Sequence, residues 1–437
     1  MNTRALTASG LTPSGQKQRG DPWKMTISLR AIVAGMIGIV FYAAFKGGYY
    51  FLANRLQEIG VLLSIVLFFG AAVIAALNVQ AKNLNWSFWF FSTLLFIGYT
   101  FIFPAYLFST QIGVSMLPSL AASREFLIVF IGPAIYFIGR LGFDVDELLR
   151  IVMIALGLIV ISYIFHYFRI DLAAANNSSD PVIKAMVTND SRGYRLKPPS
   201  VALFLVTIIS AYLALREKQK QLAIFWRFTF LMAIYSWIIL QARAPTAMLL
   251  LGTLIYHFCF ARKPRLGLLF LGLAFLVPIY PILIDQYFQM SANADGGVRY
   301  NSYLIAFEVI REHPIFGLGQ SSNFTKSEGD LFGKHFYSSD LGLVGVAFKF
   351  GILGALFYIF FVIYGLVRAV TTNWLIVKRT GAANIFLVAS IIKLATDLLN
   401  SVLSYHYVQV HGVAHLSTVI AVTALYRIKY RTAVNDS

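Results

Sequence analysis

A handful of polar residues stand out from a chain that is otherwise overwhelmingly apolar. Arg299 opens a polar stretch that continues through His313-Pro314-Ile315-Phe316-Gly317-Leu318-Gly319 and then His335-Phe336-Tyr337-Ser338-Ser339-Asp340. Arg243 stands in Gln241-Ala242-Arg243-Ala244-Pro245, between two apolar segments, and Arg192-Gly193-Tyr194-Arg195 forms another polar knot. A guanidinium keeps its proton at any working pH and binds phosphate through paired N–H donors. Arg192, Arg195, Arg243 and Arg299, if they converge, could therefore hold a diphosphate without a metal. Taken singly, Arg243 reads more simply as a snorkelling side chain or an orientation anchor. His335 could accept a proton from a hydroxyl near neutral pH, although a plain surface histidine is an equal reading. Asp340 is the other candidate base, and its plainer role is a helix N-cap beside Ser338 and Ser339.

Other titratable residues point to structure. Lys393 and Asp397 are spaced i,i+4 in an apolar segment, where they most simply neutralise each other. His411 and His415 share one helix face, with His406 nearby, but no third ligand follows at a recognisable spacing, so no metal site is expected. No phosphate-binding loop, dinucleotide fingerprint or Ser/His/Asp signature is present. The single cysteine, Cys259, excludes an internal disulfide.

The elements that must position these residues are membrane helices. The chain has 437 residues, 58% hydrophobic and 13% charged, with a mean hydropathy of +0.71. Apolar segments of about 17–25 residues recur, each long enough to cross a bilayer. About twelve spans are expected, near 30–52, 58–80, 86–108, 124–140, 148–168, 199–215, 222–241, 245–260, 266–284, 340–368, 384–402 and 411–428. The net charge of +17 suggests nucleic acid at first sight. The basic residues instead flank the spans, more than half of them on one side, as the positive-inside rule requires. Lys46, Lys349 and Lys393 fall within spans. This alternation places both termini in the cytoplasm. Residues 1–29 then form a disordered cytoplasmic tail, too polar for a signal peptide, and residues 429–437 a second tail. A loop at 169–198 and a larger one at 285–339, between spans nine and ten, lie outside. In the larger loop Tyr303, Leu304, Phe307 and Ile310 recur at helical spacing, predicting an amphipathic helix from near Arg299 that Pro314 ends. Gly317 and Gly319 permit a tight turn after it.

The order of Arg299, an amphipathic helix and His313-Pro314-Ile315-Phe316-Gly317-Leu318-Gly319 resembles the O-antigen ligase and Wzy-type polysaccharide polymerase superfamily. Asp340-Leu341-Gly342-Leu343-Val344-Gly345 and Phe350-Gly351-Ile352-Leu353-Gly354 resemble that family's span after its large periplasmic loop. Arg243 matches its other arginine, and Arg192-Gly193-Tyr194-Arg195 its upstream loop. The match runs from about Arg192 to Gly354. One departure concerns the family's His-Asn pair, whose place falls near Ser339-Asp340, so that His335 stands a few residues early.

The resemblance implies an all-α integral membrane protein of the GT-C type in the bacterial inner membrane. It implies a cofactor-free and metal-independent glycosyltransferase. The donor would be an undecaprenyl-diphosphate-linked glycan, held by Arg243 and Arg299 with Arg192 or Arg195. His335 or Asp340 would take the acceptor proton, and Tyr300, Tyr303 and Tyr337 could stack on sugar rings. A polymerase of O-antigen, capsule or exopolysaccharide repeats is the first reading, on the Ser-Asp-Leu-Gly variant. Transfer to lipid A core by a ligase is the second, and a lipid-linked oligosaccharide transporter the third. The expected partners are the lipid-linked glycan and the bilayer, with a chain-length regulator and a flippase as further associates, and no nucleic acid.

Overall fold

The computed structural model describes residues 27–45, 54–77, 85–190, 193–240, 249, 251–252, 256, 296–321, 328–333, 336, 338–401 and 409–435. Within these, apolar composition becomes helix almost everywhere, because a helix satisfies every backbone donor and acceptor internally and so can be placed in hydrocarbon. The first elements are α1 (Ile27–Ala44), α2 (Asn54–Leu77) and α3 (Trp86–Ile97), the last continuing through a π-helical turn, Gly98–Ile102, into α4 (Phe103–Ile112). Next come α5 (Met116–Ser123), a 3₁₀ segment at Arg124–Phe130, α6 (Ile131–Arg140) and α7 (Val145–Arg169). After the loop that follows α7 come α10 (Ser200–Arg216) and α11 (Lys220–Leu240). The loop itself holds α8 (Leu172–Asn176), α9 (Pro181–Met186) and an antiparallel hairpin, β1 (Val187–Asp190) with β2 (Gly193–Leu196). Beyond lie α12 (Gly296–Glu312), α13 (Glu328–Phe332), a 3₁₀ turn at Ser338–Leu341, α14 (Leu343–Thr380), α15 (Ile385–Asn400) and α16 (Val410–Asn435).

Among the described residues, six helical stretches are long and apolar enough to cross a membrane: Leu56–Leu77, Trp86–Ile112, Met116–Arg140, Val145–Arg169, Lys220–Leu240 and Leu343–Thr380. Leu29–Ala44 and Ser200–Arg216 are shorter apolar helices. The chain is thus a multi-pass helical membrane protein. The expected spans at 245–260 and 266–284 lie almost wholly outside the described residues. Three details add to the expectations. The chain is mostly helical, as expected, and its loop also holds the short hairpin of β1 and β2, in which Gly193 stands at φ +86°. The fourth span begins at Met116, earlier than the 124 expected. The tenth runs on to Thr380, so Lys378 and Arg379 sit in its last turn, where cations suit the helix C-terminus.

The centre of the bundle is unusually polar for its depth. Every residue of α16 from Val410 to Thr423 is buried, including His411 and His415. The Lys393 ammonium donates to the Asp397 carboxylate one turn away, and lies 5.3 Å over the Phe204 ring. The His415 Nε2 is 3.0 Å from the Ser390 hydroxyl. Lys393 and Asp397 therefore do neutralise each other, as their spacing suggests. Removing one partner of such a pair leaves an uncompensated buried charge, whereas removing both does not. Lys393→Met should cost about 3–5 kcal/mol, and Lys393→Met with Asp397→Leu should recover most of that loss. Unfolding of the detergent-purified protein checks this, and a single variant as stable as the double one would refute it.

Candidate functional site

The N-terminal part of α14 carries a break that organises the region around it. At Gly351 the backbone turns to φ +70° and ψ 179°, which leaves the helix and is unfavourable for any residue with a Cβ. A break in a helix strands carbonyls before it and amides after it, and each needs a partner. All the partners come from outside the helix. The Phe348 and Lys349 carbonyls accept from the Leu318 and Gly319 amides, each at 2.9 Å, and the Ile352 amide donates to the Pro314 carbonyl at 2.8 Å. The Leu353 amide donates to the Ile315 carbonyl at 3.3 Å. The Phe350 carbonyl accepts from the Tyr99 hydroxyl at 3.0 Å.

The His-Pro-Ile-Phe-Gly-Leu-Gly run is therefore the segment that completes the broken helix. Its glycines are required by contact as well as by turn geometry. A Cβ on Gly317, at φ +70°, would come within 2.5 Å of the Gly351 amide, and one on Gly351 within 2.0 Å of the Ile315 carbonyl. Tyr99 reaches the break from the π-helical turn of the third span, which is itself irregular. Pro104, lacking an N–H, cannot bond back to the preceding turn, and its own carbonyl accepts from Gln320 at 3.1 Å.

A small core of its own secures the loop to the helix ends. Ala306 and Val309 of α12 and Leu318, Phe336 and Leu341 pack with Phe108 and Phe348. The rings of Phe332, Phe336 and Phe348 lie 5.1–5.4 Å apart. The amphipathic helix exists, but its inward face is rotated from the one expected. Ser302, Ala306 and Val309 are buried, Tyr303 and Ile310 partly so, while Leu304 and Phe307 are 48% and 55% exposed. Small side chains face inward because α12 lies close against the loop core, and the larger rings are left outside.

One ionic network ties the rest of the loop down. The Lys349 ammonium, just before the break, is 2.8 Å from the Glu328 carboxylate of α13. The same carboxylate accepts from the Ser338 amide at 3.1 Å and the Ser338 hydroxyl at 2.9 Å. Burial alone would raise the Glu328 carboxyl, but the Lys349 charge and the hydrogen bonds outweigh it and hold the carboxyl below its ordinary range. Neither residue stands out as site chemistry in the sequence. A signal exists nonetheless, because Lys349 has no acid one turn away on its own helix, unlike Lys393, and so must find its counter-charge elsewhere.

The candidate residues are placed as follows. Arg299 lies in the first turns of α12, and Asp340 in the 3₁₀ turn two residues after Ser338. The N-cap of α14 is Gly342, so the capping role open to Asp340 in the sequence belongs elsewhere. Arg195, on β2, donates from Nη1 to the carbonyl of Leu240, the last residue of α11, at 3.1 Å. Leu240 precedes Arg243 by three residues in the sequence. Arg192, Arg243 and His335 lie outside the described residues, as does Tyr337. The structure thus joins Arg195 to the α11 terminus and the Arg299 helix to the segment bearing Asp340.

A bundle of apolar helices with one span broken and completed by a loop defines a multi-pass membrane protein. Residues 199–359 are similar to the family model Wzy_C, described as O-antigen ligase, over less than half of the chain. The match takes in Arg243, Arg299, the glycine run, Asp340 and the break at Gly351, and leaves Arg192 and Arg195 before it. No curated protein matches the chain.

Two outcomes follow from this geometry. Gly351→Ala and Gly317→Ala should each destabilise the docked loop, by at least the roughly 1–3 kcal/mol of backbone strain, read as faster proteolysis between 313 and 341. Because the Glu328 pKa is lowered on folding, its stabilisation of the loop is complete above the ordinary value of 4.5. It is lost as pH falls below that toward the folded value. Glu328→Gln should therefore abolish the acid-dependent part of the protease sensitivity, which wild type should show.

Proposed function

We propose that this protein is a glycosyltransferase that polymerises oligosaccharide repeat units carried on undecaprenyl diphosphate, at the periplasmic face of the bacterial inner membrane. A lipid diphosphate is already an activated leaving group. The enzyme must bind two phosphates, orient an acceptor hydroxyl and remove one proton. In this reading Arg243 and Arg299 hold the diphosphate with Arg195 or Arg192, and His335 or Asp340 takes the proton of the acceptor sugar as the new glycosidic bond forms. Undecaprenyl diphosphate departs with the donor's anomeric bond broken. The charge of the leaving group is met by guanidinium groups, so the reading needs no metal. A flippase and a chain-length regulator would be its further associates in assembly.

The observation that carries the reading is the docking of 313–319 into the broken helix. It brings the Arg299 helix and the turn holding Asp340 onto one helix end. The hydrogen bond from Arg195 to the end of α11 supports a shared arginine site, since at most about 11 Å of extended chain separates Leu240 from Arg243. A ligase transferring the finished glycan to lipid A core is the second reading, favoured by the description of the matched family.

The decisive experiment incubates purified protein with a lipid-diphosphate-linked repeat unit in EDTA. Wild type should produce a ladder of polymers, and Arg299→Ala, with unchanged folding, should lower the rate by at least about 10²-fold, the scale of losing one preorganised transition-state donor. A single product without a ladder, formed only when a lipid A core acceptor is added, would establish the ligase instead. Neither product from folded protein and matching substrates would refute glycosyl transfer.

A further inference from the structure

The charges on α14 indicate how deep the docked run lies in the membrane. Between Lys349 and Arg368, the stretch from Phe350 to Val367 carries no charged side chain. As helix that stretch covers about 27 Å, close to the roughly 30 Å of hydrocarbon in a bilayer. Charge is costly at depth, so the hydrocarbon core falls between the two cations. The break at Gly351, with Ile352 and Leu353 after it, then lies just inside the core at the loop-bearing end. Ile352 is 50% exposed and Leu356 57%, as suits side chains that face lipid.

Ile315 and Phe316 are held at the same level. The Pro314 and Ile315 carbonyls accept from the Ile352 and Leu353 amides. The Phe316 ring meets Phe103 of the third span edge-on at 5.0 Å. Yet Ile315 is 58% exposed and Phe316 41%. At this depth the medium around them is acyl chain, and irregular backbone is tolerated there because the break and the run pair with each other.

The helix that leads into the run has sides to match. α12 turns Ser302, Ala306 and Val309 inward. Tyr300, Leu304 and Phe307, at i, i+4 and i+7, form an exposed apolar stripe. Asn301, Glu308 and Glu312 form an exposed polar edge beside it. Arg311 follows Phe307 by one turn, where its long stem can lie along the stripe and its head reach lipid phosphate. A helix in water has no use for the stripe, whereas one lying in a bilayer interface needs both an apolar and a polar side.

We propose that α12 and the run 313–319 form a wedge set into the bilayer interface. Leu304, Phe307, Ile315 and Phe316 are sunk among the acyl chains, and Asn301, Glu308 and Glu312 face water. The partner of this surface is the lipid bilayer, reached without a gap from the lipid-facing sides of α4 and α14. The wedge requires no assumption about glycosyl transfer. For that reading it seats the helix carrying Arg299 at the level of the lipid head groups.

The test uses full-length protein with Cys259→Ala and one new cysteine at a time: Leu304→Cys, Phe307→Cys, Phe316→Cys, Glu308→Cys or Glu312→Cys. Each carries an environment-sensitive fluorophore in phosphatidylcholine vesicles. Labels at 304, 307 and 316 should be quenched by nitroxide-bearing acyl chains, shielded from aqueous iodide, and sunk about 5–10 Å into the interface. Labels at 308 and 312 should show the reverse. Equal iodide quenching at 304, 307 and 308 would place the helix in water and overturn the proposal. Shielding of 304, 307 and 316 from both quenchers would mean a protein cover, from this chain or a second copy, and would overturn it too. The unmodified protein gives an independent reading, free of any effect of the cysteines on folding. Phosphatidylcholine with a photoreactive diazirine in its acyl chain should label residues 303–316 as well as the spans. Labelling of the spans alone would count against the wedge as decisively.

Discussion

Everything at the loop-bearing end of the bundle depends on an exchange of backbone hydrogen bonds at Gly351. A helix in hydrocarbon cannot leave its amides and carbonyls unpaired, since each would cost several kcal/mol. The break is possible only because the run from Pro314 to Gly319 supplies the missing donors and acceptors, and Tyr99 supplies one more. The relation is reciprocal. The loop has only a small core of its own, and pairing with the broken helix fixes its position first of all. The glycines at 317 and 351 face each other at separations that no side chain could occupy.

That constraint explains why an irregular loop can act as a rigid support. Loops carry chemistry well when a scaffold fixes them. Here the fixing has three layers: backbone pairing at the break, a cluster of aromatic rings beneath α12 and α13, and the Glu328 carboxylate joining Lys349 to Ser338. The segment bearing Asp340 follows directly on Ser338. The network therefore couples the end of a membrane helix to the position of a candidate base, and the irregular third span, with its π-helical turn, braces the same place from the other side.

The two ends of the bundle handle charge differently. At the loop-bearing end an ion pair, Lys349 with Glu328, anchors the loop. At the bundle centre Lys393 and Asp397 compensate each other within one helix turn. At the opposite end Arg427 donates to the Thr371 and Thr372 hydroxyls, and Arg368 lies over the Tyr364 ring. Each arrangement follows from depth, because the cost of an unpaired charge rises toward the bilayer centre.

Much of this was legible in the chain. Apolar segment length determined the helices, because crossing hydrocarbon demands a certain number of residues. The i,i+4 spacing determined the Lys393–Asp397 pair, because helix geometry alone brings those side chains together. Pro314 and the glycines after it marked the end of α12 and the turn. Other features were decided only by tertiary structure. The inward face of α12 went to Ser302, Ala306 and Val309 because close packing against the loop core favoured small residues over the larger Leu304 and Phe307. The partner of Lys349 lay 21 residues earlier in the sequence, beyond the reach of any local rule. The hairpin at 187–196 was hidden in a polar loop without alternating hydrophobicity. Gly351 read in the sequence as one glycine of a family motif. That it breaks a membrane helix, and that the glycine run repairs the break, depends on two segments meeting in space.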